Sequence, residues 1–456
     1  MASSLSLSPS FSLTRPVDRK WFAGFHNYPF VGKLTSGSCS SAQYCSYRFN
    51  SSFYPKSIST LTEPILSSPL PTQNPSSASS PWLMLPPAFD VDVNGAASRS
   101  YKFYSLADNK IVTLITGKNS TEELTKPLMC FRGSSHGWVV LYDRRSLELF
   151  LYNPITRRHI ILPPFEGVDK VILSCSPDEN GPNCRAIMIY NNCGLALCCP
   201  GFSKEWTHIG HHHEDSSRDF SECYVDCVYS TRDEALFSLT NNFGKNGMLE
   251  SWDLRDIQPP RAVKIAELSW KHGRLGLPRR TKREEKKKKM MWLSNEPKEH
   301  LVVAGEDLLV VTQHVVFAFD FDGLYVDVLA YERGLPGVTI DFDVHKYDPE
   351  DGELKYVEGS CLGGWALFVG LSSDAVALRA ADFPELKPNS IYFTDALEDA
   401  VIEDDNFPTG GHDIGIFNYE KKTVSPCYYP CDTNNMRKTF PAPMWFFPSR
   451  EGCHTD

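Results

Sequence analysis

The sequence lacks any apolar run that could cross a bilayer. Its longest apolar stretches, Arg185–Phe202 and Leu308–Phe321, are interrupted by polar residues or proline, whereas a spanning helix needs about 20 consecutive apolar residues. We therefore expect no membrane insertion. Apolar residues still make up 41% of the 456 residues, an ordinary proportion for a chain that builds a packed core.

The sequence also lacks a dense set of cysteines and an excess of positive charge. The 14 cysteines are scattered along the chain, too thinly for a disulfide scaffold, and the N-terminus has no compact apolar region typical of a secretory signal. Both observations favour free thiols in a reducing intracellular compartment. The net charge of −10 creates no field that would attract nucleic acid, so we expect no nucleic-acid partner.

The common motifs of catalytic and cofactor sites are missing as well. The sequence contains no G-x-G-x-x-G, P-loop or H-E-x-x-H pattern. Ser135 and His136 are adjacent in the segment Gly133–Gly137, but triad partners converge from separate elements rather than from one turn. We predict that the protein is not an enzyme, with no catalytic residues and no cofactor.

The first eighty residues have a composition of their own. They hold 21 Ser, 8 Pro, six basic residues and only two acidic ones, as transit peptides do. We predict an organellar transit peptide at residues 1–50 and a disordered Pro/Ser-rich linker at residues 51–81. The organelle is expected to be the mitochondrion, with the chloroplast as the alternative; an unaddressed low-complexity tail also fits this composition. An F-box is a helical module, and it is excluded here by the prolines at Pro55, Pro64, Pro69, Pro71 and Pro75.

From Trp82 onward, short apolar segments alternate with turn residues. Strands are predicted in groups within Tyr101–Ile115, Gly137–Pro163, Val171–Ile209, Val225–Leu254, Leu301–Asp320 and Trp365–Thr394. In the group that begins at Leu301, we expect separate strands at Asp307–Thr312 and His314–Asp320. Repeats of this size are typical of propeller blades, whose apolar faces are buried by stacking in a ring. We predict an all-β fold, a single β-propeller of short antiparallel blades preceded by a disordered leader; a β-sandwich is the alternative.

Two blocks of sequence also resemble a known family. GSSHGWVVLYDRRSLELFLYNPITRRHIILPP at residues 133–164 and GGWALFVGLSSDAVALRAADFPELKPNSIYFTD at residues 363–395 are similar to characteristic segments of the plant KIB-type β-propeller family. Trp206-Thr207 and Trp252-Asp253-Leu254 stand where that family ends its blades. The resemblance covers about residues 82–420, and it implies a propeller that recognises another protein.

The resemblance leaves two functions open. Many members of the family carry an F-box and recognise substrates for a ubiquitin ligase in the cytosol or nucleus. This sequence has a transit-peptide-like leader instead, as organelle-directed members without an F-box do. We expect a non-enzymatic, monomeric protein-interaction module imported into an organelle, with a protein partner of unknown identity; the ligase subunit is the alternative.

The densest set of possible metal ligands lies at His211, His212 and His213. Five cysteines are near them in sequence, namely Cys193, Cys198, Cys199, Cys223 and Cys227. Zinc requires four ligands in compact spacing, but Cys223 and Cys227 would lie about 13 Å apart along one face of a strand. We interpret the histidines as part of a solvated loop and predict no metal site.

One strongly basic segment interrupts the predicted propeller. The run Arg279–Lys289 holds eight basic residues, and we interpret it as a solvated insertion at about residues 271–292 rather than as a nuclear import signal. The propeller is expected to span residues 82–432, followed by a C-terminal tail at residues 433–456. The sequence does not identify the binding face.

Overall fold

The computed structural model describes thirteen segments of the chain. They are residues 80–91, 97–115, 129–211, 222–242, 247–255, 260–268, 292–319, 325–326, 337–358, 362–370, 374–395, 413–427 and 442–448. The transit peptide, nearly all of the linker and the basic run Arg279–Lys289 lie outside the described residues.

The first half of the chain forms three sheets, which we number as blades 1 to 3. Blade 1 begins with β1 (Trp82–Val91), β2 (Ala97–Ser105) and β3 (Lys110–Ile115). Blade 2 contains β4 (Met129–Ser135), β5 (Trp138–Asp143), β6 (Glu148–Tyr152) and β7 (His159–Leu162). Blade 3 contains β8 (Val168–Leu173), β9 (Ala186–Tyr190), β10 (Gly194–Cys198) and β11 (Thr207–His211), with a short helix α1 (Pro177–Asn180) between β8 and β9.

The second half forms three more sheets. Blade 4 contains β12 (Glu222–Ser230), β13 (Ala235–Asn242), β14 (Gly247–Asp253) and β15 (Ala262–Leu268). Blade 5 contains β16 (Trp292–Ala304), β17 (Asp307–Phe319), β18 (Tyr325–Val326), β19 (Gly337–Asp348) and β20 (Glu353–Tyr356). Blade 6 contains β21 (Trp365–Val369), β22 (Val376–Arg379), β23 (Ser390–Phe393), β24 (Gly415–Asn418) and β25 (Thr423–Pro426), and the last strand is β26 (Met444–Phe446).

The apolar core lies between the blades. Six clusters of buried side chains each join two consecutive blades, and the sixth joins blade 6 back to blade 1. Each sheet alone would expose these faces, so stacking in a ring is what removes them from water. The predicted all-β propeller is thus confirmed, with six blades, and the sandwich alternative is wrong.

The ring is closed by the last described strand. β26 pairs antiparallel with β1, with Leu83 opposite Trp445, so the two ends of the propeller share one sheet. Trp445 is completely buried and packs edge-on against Phe368 of blade 6 at 5.0 Å between ring centroids. Residues 444–446 therefore belong to blade 1, a correction to the predicted tail at residues 433–456.

Inner strands line the centre of the ring. β26, β4, β8, β12, β16 and β22 contact one another in this order, and we call these six the inner strands. β4 and β8 approach so closely that any side chain at Gly133 would collide with the carbonyl group of Val171. Glycine at this position therefore permits the contact. The turn from β4 to β5 is equally tight, since His136 and Gly137 both have positive φ values, 51° and 79°, as a two-residue hairpin requires.

Blades 5 and 6 depart from the predicted strands. The expected strands Asp307–Thr312 and His314–Asp320 form one continuous strand, β17, because Gln313 stays paired with Lys298 and the ladder is unbroken. In blade 6, β21 and β23 run parallel, and β22 lies on the inner side of β21. No helix within the described segments is long and apolar enough to cross a membrane.

Candidate functional site

The inside of the ring is braced by one buried carboxylate. Asp226, on β12, is 2% exposed and follows a β-bulge. Its Oδ1 accepts a hydrogen bond from Lys170 Nζ at 2.6 Å and one from the Cys227 amide at 2.8 Å, while Oδ2 accepts from the Leu301 amide at 2.8 Å. These donors lie on the inner strands of blades 3, 4 and 5, so Asp226 joins three blades.

Lys170 stays charged in this environment. Burial by itself lowers the pKa of the Lys170 ammonium group, because a charge loses its hydration. The Asp226 carboxylate outweighs that effect, and the pKa lies above its usual value. The pair is therefore a buried, hydrogen-bonded ion pair that holds β8 against β12.

A second carboxylate, on the partly buried Asp374, connects blades that are not neighbours. The amide of Asp374, just before β22, donates to the Ser134 carbonyl oxygen at 3.1 Å. Asp374 Oδ2 accepts from Ser135 Oγ at 3.0 Å, whereas Oδ1 is inaccessible and has no hydrogen-bond partner. Burial raises the pKa of Asp374 to about 6, and Lys170 opposes the rise. Since Ser134 and Ser135 end β4 of blade 2, this contact crosses the inside of the ring from blade 6.

A series of buried hydrogen bonds crosses blade 5. His300 Nε2 donates to Gln313 Oε1 at 3.1 Å, and Gln313 Nε2 donates to Thr339 Oγ1 at 2.8 Å. The Thr339 amide donates to Asp413 Oδ2 at 2.8 Å, which extends the series to the segment that precedes β24. Burial lowers the pKa of His300 to about 4, so its ring is neutral at pH 7 and serves this hydrogen bond.

A nearby carboxyl group has the opposite shift. Glu299 is 5% exposed, and burial raises the pKa of its side chain to about 7, with Lys298 opposing the rise. These shifts follow from packing between blades and need no ligand to explain them. The buried polar groups around the centre therefore act first as braces between inner strands.

Ser135 does not form the serine–histidine pair that its sequence neighbour could suggest. Its Oγ lies 3.0 Å from Asp374 Oδ2 and accepts from the Leu173 amide at 3.3 Å. His136 occupies the following hairpin turn instead. The arrangement holds the end of β4 against blades 3 and 6.

The predicted metal candidates are not brought together. His211 ends β11, while His212 and His213 lie outside the described residues. The bulge between Tyr224 and Asp226 breaks the alternation of β12, so that Cys227 packs in the core beside Tyr224 while Cys223 is partly exposed. The assumption that both cysteines share one face is therefore wrong. Among the described residues, no group of three His, Cys, Asp or Glu side chains is placed to hold a metal ion.

An apolar surface lies at the outer edge of blade 2. Within the described segments β7 pairs with β6 alone, so its other backbone edge faces outward. Ile160 packs toward the core, and Ile161, on the opposite face, is 67% exposed. The turn after β10 lies beside this strand, since a Cβ on Gly201 would stand 3.5 Å from Ile160 Cγ2. Phe202 in that turn is 63% exposed; we call β7, Ile161 and Phe202 the blade 2 edge.

The blade 2 edge is held in place and flanked by positive charge. Trp206 Nε1 donates to the Pro163 carbonyl oxygen at 2.8 Å, which fastens the blade 3 segment to the end of β7. Arg157, Arg158 and His159 lead into β7 and are exposed. Arg158 also forms an ion pair with Asp178 of α1. Backbone edge, apolar side chains and basic residues thus adjoin on one outer surface.

Six small sheets in a closed ring, with inner strands braced by buried polar groups, define a six-bladed β-propeller. Residues 103–418 match the family model described as KIB1-4 beta-propeller. The chain belongs to the KIB1-4 β-propeller family. A search of curated proteins gave no match.

Several solved structures match the chain at low similarity. They include the periplasmic gluconolactonase of Pseudomonas aeruginosa, with 12% identity, a TM-score of 0.31, and 65% of this chain and 70% of that chain covered. Apo AztD from Citrobacter koseri has 12% identity, a TM-score of 0.28 and coverage of 53% and 71%. A chain of the nidogen/laminin complex has 8% identity, a TM-score of 0.28 and coverage of 60% and 91%. Likeness at this level carries no information about function.

Proposed function

We propose that this protein is a non-enzymatic interaction module that binds an extended segment of a partner protein along the blade 2 edge. The observation that carries the proposal is the outward-facing edge of β7 with Ile161 on one face and Phe202 beside the other. An added strand makes main-chain hydrogen bonds to such an edge and places alternate side chains on its two faces.

The chemistry of the blade 2 edge narrows the partner segment. Apolar residues on both faces of the added strand fit against Ile161 and Phe202, which together offer exposed apolar area next to a hydrogen-bonding edge. Acidic residues at one end fit Arg157 and Arg158, since opposite charges favour the encounter. The proposed partner segment is therefore extended, apolar on both faces and acidic at one end.

The central polar groups support a binding role over a catalytic one. Asp226 uses both oxygens on donors from three blades, and Ser135 is bonded to Asp374 and Leu173. Their replacement would loosen the ring, whereas the blade 2 edge can change without loss of the fold. Function and stability are thus assigned to different parts of the propeller.

Peptide selection on the immobilised protein tests the proposal. We expect a random peptide library to yield binders with apolar residues at neighbouring positions, which face opposite sides of the added strand, and with acidic residues at one end. The Ile161→Asp variant should bind these peptides at least about tenfold more weakly, because burial of one isoleucine side chain is worth about 1.5–3 kcal/mol. Titration calorimetry with one selected peptide measures the change.

Val263 provides the matched control. It is 62% exposed on β15, the outermost strand of blade 4, so Val263→Asp makes the same kind of change on another edge. Its peptide affinity should equal that of the unchanged protein. Equal binding by Ile161→Asp, or the larger loss in Val263→Asp, would refute the assignment to blade 2.

Import into an organelle is a separate proposal, and it is supported by the Ser-rich, acid-poor composition of residues 1–80. We expect the mature protein to begin near Ser51, as mass spectrometry of its N-terminus would show. An intact Met1 would remove the support for import. Co-purification of a ubiquitin-ligase adaptor with such a chain would favour the alternative function.

A further inference from the structure

Two cysteines face each other beyond the last rung of the β8–β9 hairpin. The ladder ends with Leu173 opposite Ala186. One residue further, the Ser174 amide donates to the Arg185 carbonyl oxygen at 2.9 Å, and the Arg185 amide donates to Ser174 Oγ at 2.9 Å. The same register places Cys175 opposite Cys184.

This position has the geometry that a disulfide needs. Ser174 and Arg185 are joined by one backbone hydrogen bond and by the bond from the Arg185 amide to Ser174 Oγ, so Cys175 and Cys184 are the next residues that face each other. Facing Cα atoms of antiparallel strands are about 4.5–5.5 Å apart, within the roughly 4.4–6.8 Å range of disulfides. Cys184 Sγ already donates to the Cys175 carbonyl oxygen at 3.1 Å.

The connection between the two cysteines does not hold them apart. It is an eight-residue segment that contains α1 and then a short 3-10 turn at Gly181–Asn183, after which the Cys184 amide donates to the Gly181 carbonyl oxygen at 3.1 Å. Cys175 is partly exposed and Cys184 is buried. An oxidant therefore reaches Cys175 first, and Cys184 stands ready beside it.

We propose that Cys175 and Cys184 form a redox-modification site, in which a peroxide oxidises the two thiols to a disulfide. The Cys175 thiolate attacks one peroxide oxygen, which leaves a sulfenic acid on Cys175 and releases water. Cys184 then attacks that sulfur and forms the S–S bond, with loss of a second water. The two sulfurs lose two electrons, and the peroxide is reduced to two waters.

The modification reaches the blade 2 edge through α1. Asp178 of α1 pairs with Arg158, the residue that precedes β7. A disulfide between Cys175 and Cys184 fixes the ends of the segment that carries Asp178. Arg158 then stays paired with Asp178 and is not available to an acidic residue of a partner. This consequence rests on the proposed function, whereas the disulfide itself does not.

Peptide mass spectrometry tests the site directly. Trypsin releases both cysteines, and no others, in the peptide Val171–Arg185. After hydrogen peroxide treatment of the intact protein, we expect this peptide to resist alkylation and to be lighter by two hydrogens. After cleavage at Glu179 its halves should stay joined until dithiothreitol is added.

Two variants sharpen the result. Cys175→Ser should leave Cys184 alkylated under the same peroxide dose, while Cys193→Ser, which removes another partly exposed thiol, should leave the 175–184 bond intact. A doubly alkylated Val171–Arg185 peptide after oxidation would overturn the proposal, as would sulfinic acid on Cys175 with Cys184 free. Both outcomes are independent of peptide binding at the blade 2 edge, so failure of the disulfide proposal can be distinguished from failure of the proposed function.

Discussion

Replacement of Asp226 by alanine is expected to lower the free energy of unfolding by about 3–5 kcal/mol, the cost of leaving a buried charge without its partner. Lys170 would keep its ammonium group inside the ring without the carboxylate that now accepts its hydrogen bond. The amides of Cys227 and Leu301 would lose their acceptor at the same time. Urea unfolding followed by circular dichroism measures the loss.

Asp253 offers a control of the same residue type. It pairs with Arg255 on the surface, where both side chains are more than half exposed. Asp253→Ala should therefore change the free energy of unfolding little, because exposed ion pairs contribute about 0–1 kcal/mol. A loss in Asp226→Ala no larger than in Asp253→Ala would contradict the bracing role of Asp226.

A double variant separates charge from packing. Lys170→Met with Asp226→Leu removes both charges and keeps apolar volume, so it should be clearly more stable than Asp226→Ala alone. The Leu301 amide remains without its acceptor in both proteins. Equal stability of the two variants would show that lost backbone hydrogen bonds, rather than the unpaired ammonium, dominate the damage.

Replacement of Trp445 by alanine is the second large effect. Trp445 is completely buried on β26 between Leu83 of β1 and the aromatic rings of Phe368 and Tyr392. Truncation of a buried tryptophan costs about 3–5 kcal/mol. The loss falls where β1 and β26 pair to close the ring, so we expect a lower urea midpoint together with earlier proteolysis of β1.

Trp365 is the matched control for Trp445. It is only partly buried, on β21, with the Arg379 guanidinium 4.4 Å from its ring centroid. Trp365→Ala should lower the free energy of unfolding clearly less, since folding removes less apolar area from water at that site. A Trp445→Ala protein as stable as Trp365→Ala would contradict closure of the ring through β26.

Much of the fold could be predicted from local patterns. The alternation of short apolar runs with turn residues identified strands in every blade, because each hairpin is local and its turn chemistry is visible, as in His136-Gly137. β26 was missed because three residues, Met444–Phe446, carry no periodic pattern, and their pairing with β1 spans the whole propeller. The parallel β21–β23 pair likewise depends on the ring around it.

The polar network could not be predicted for a related reason. Asp226 lies 56 residues from Lys170 and 75 from Leu301, and Asp374 lies 239 residues from Ser135. In sequence each is an isolated polar residue in an apolar strand or a turn. Only the ring brings them together, and burial inside it is the main cause of the shifted pKa values of Asp374 and His300.

The blade 2 edge was equally hidden. Ile161 looks like an ordinary member of the apolar run His159–Leu162, and nothing in the run marks β7 as the outermost strand. Phe202 reaches that strand through the turn of another blade. Which apolar residues face water follows from the order of strands within a blade, and that order is a property of the assembled sheet.

Amide hydrogen exchange with a selected peptide is the most direct test of the blade 2 edge as the binding surface. If the peptide adds as a strand, the backbone amides of Ile160–Leu162 that face outward will exchange more slowly when it is bound, and the amides of β15 will not change. Tight peptide binding with unchanged exchange in β7 and protection elsewhere in the ring would contradict the account.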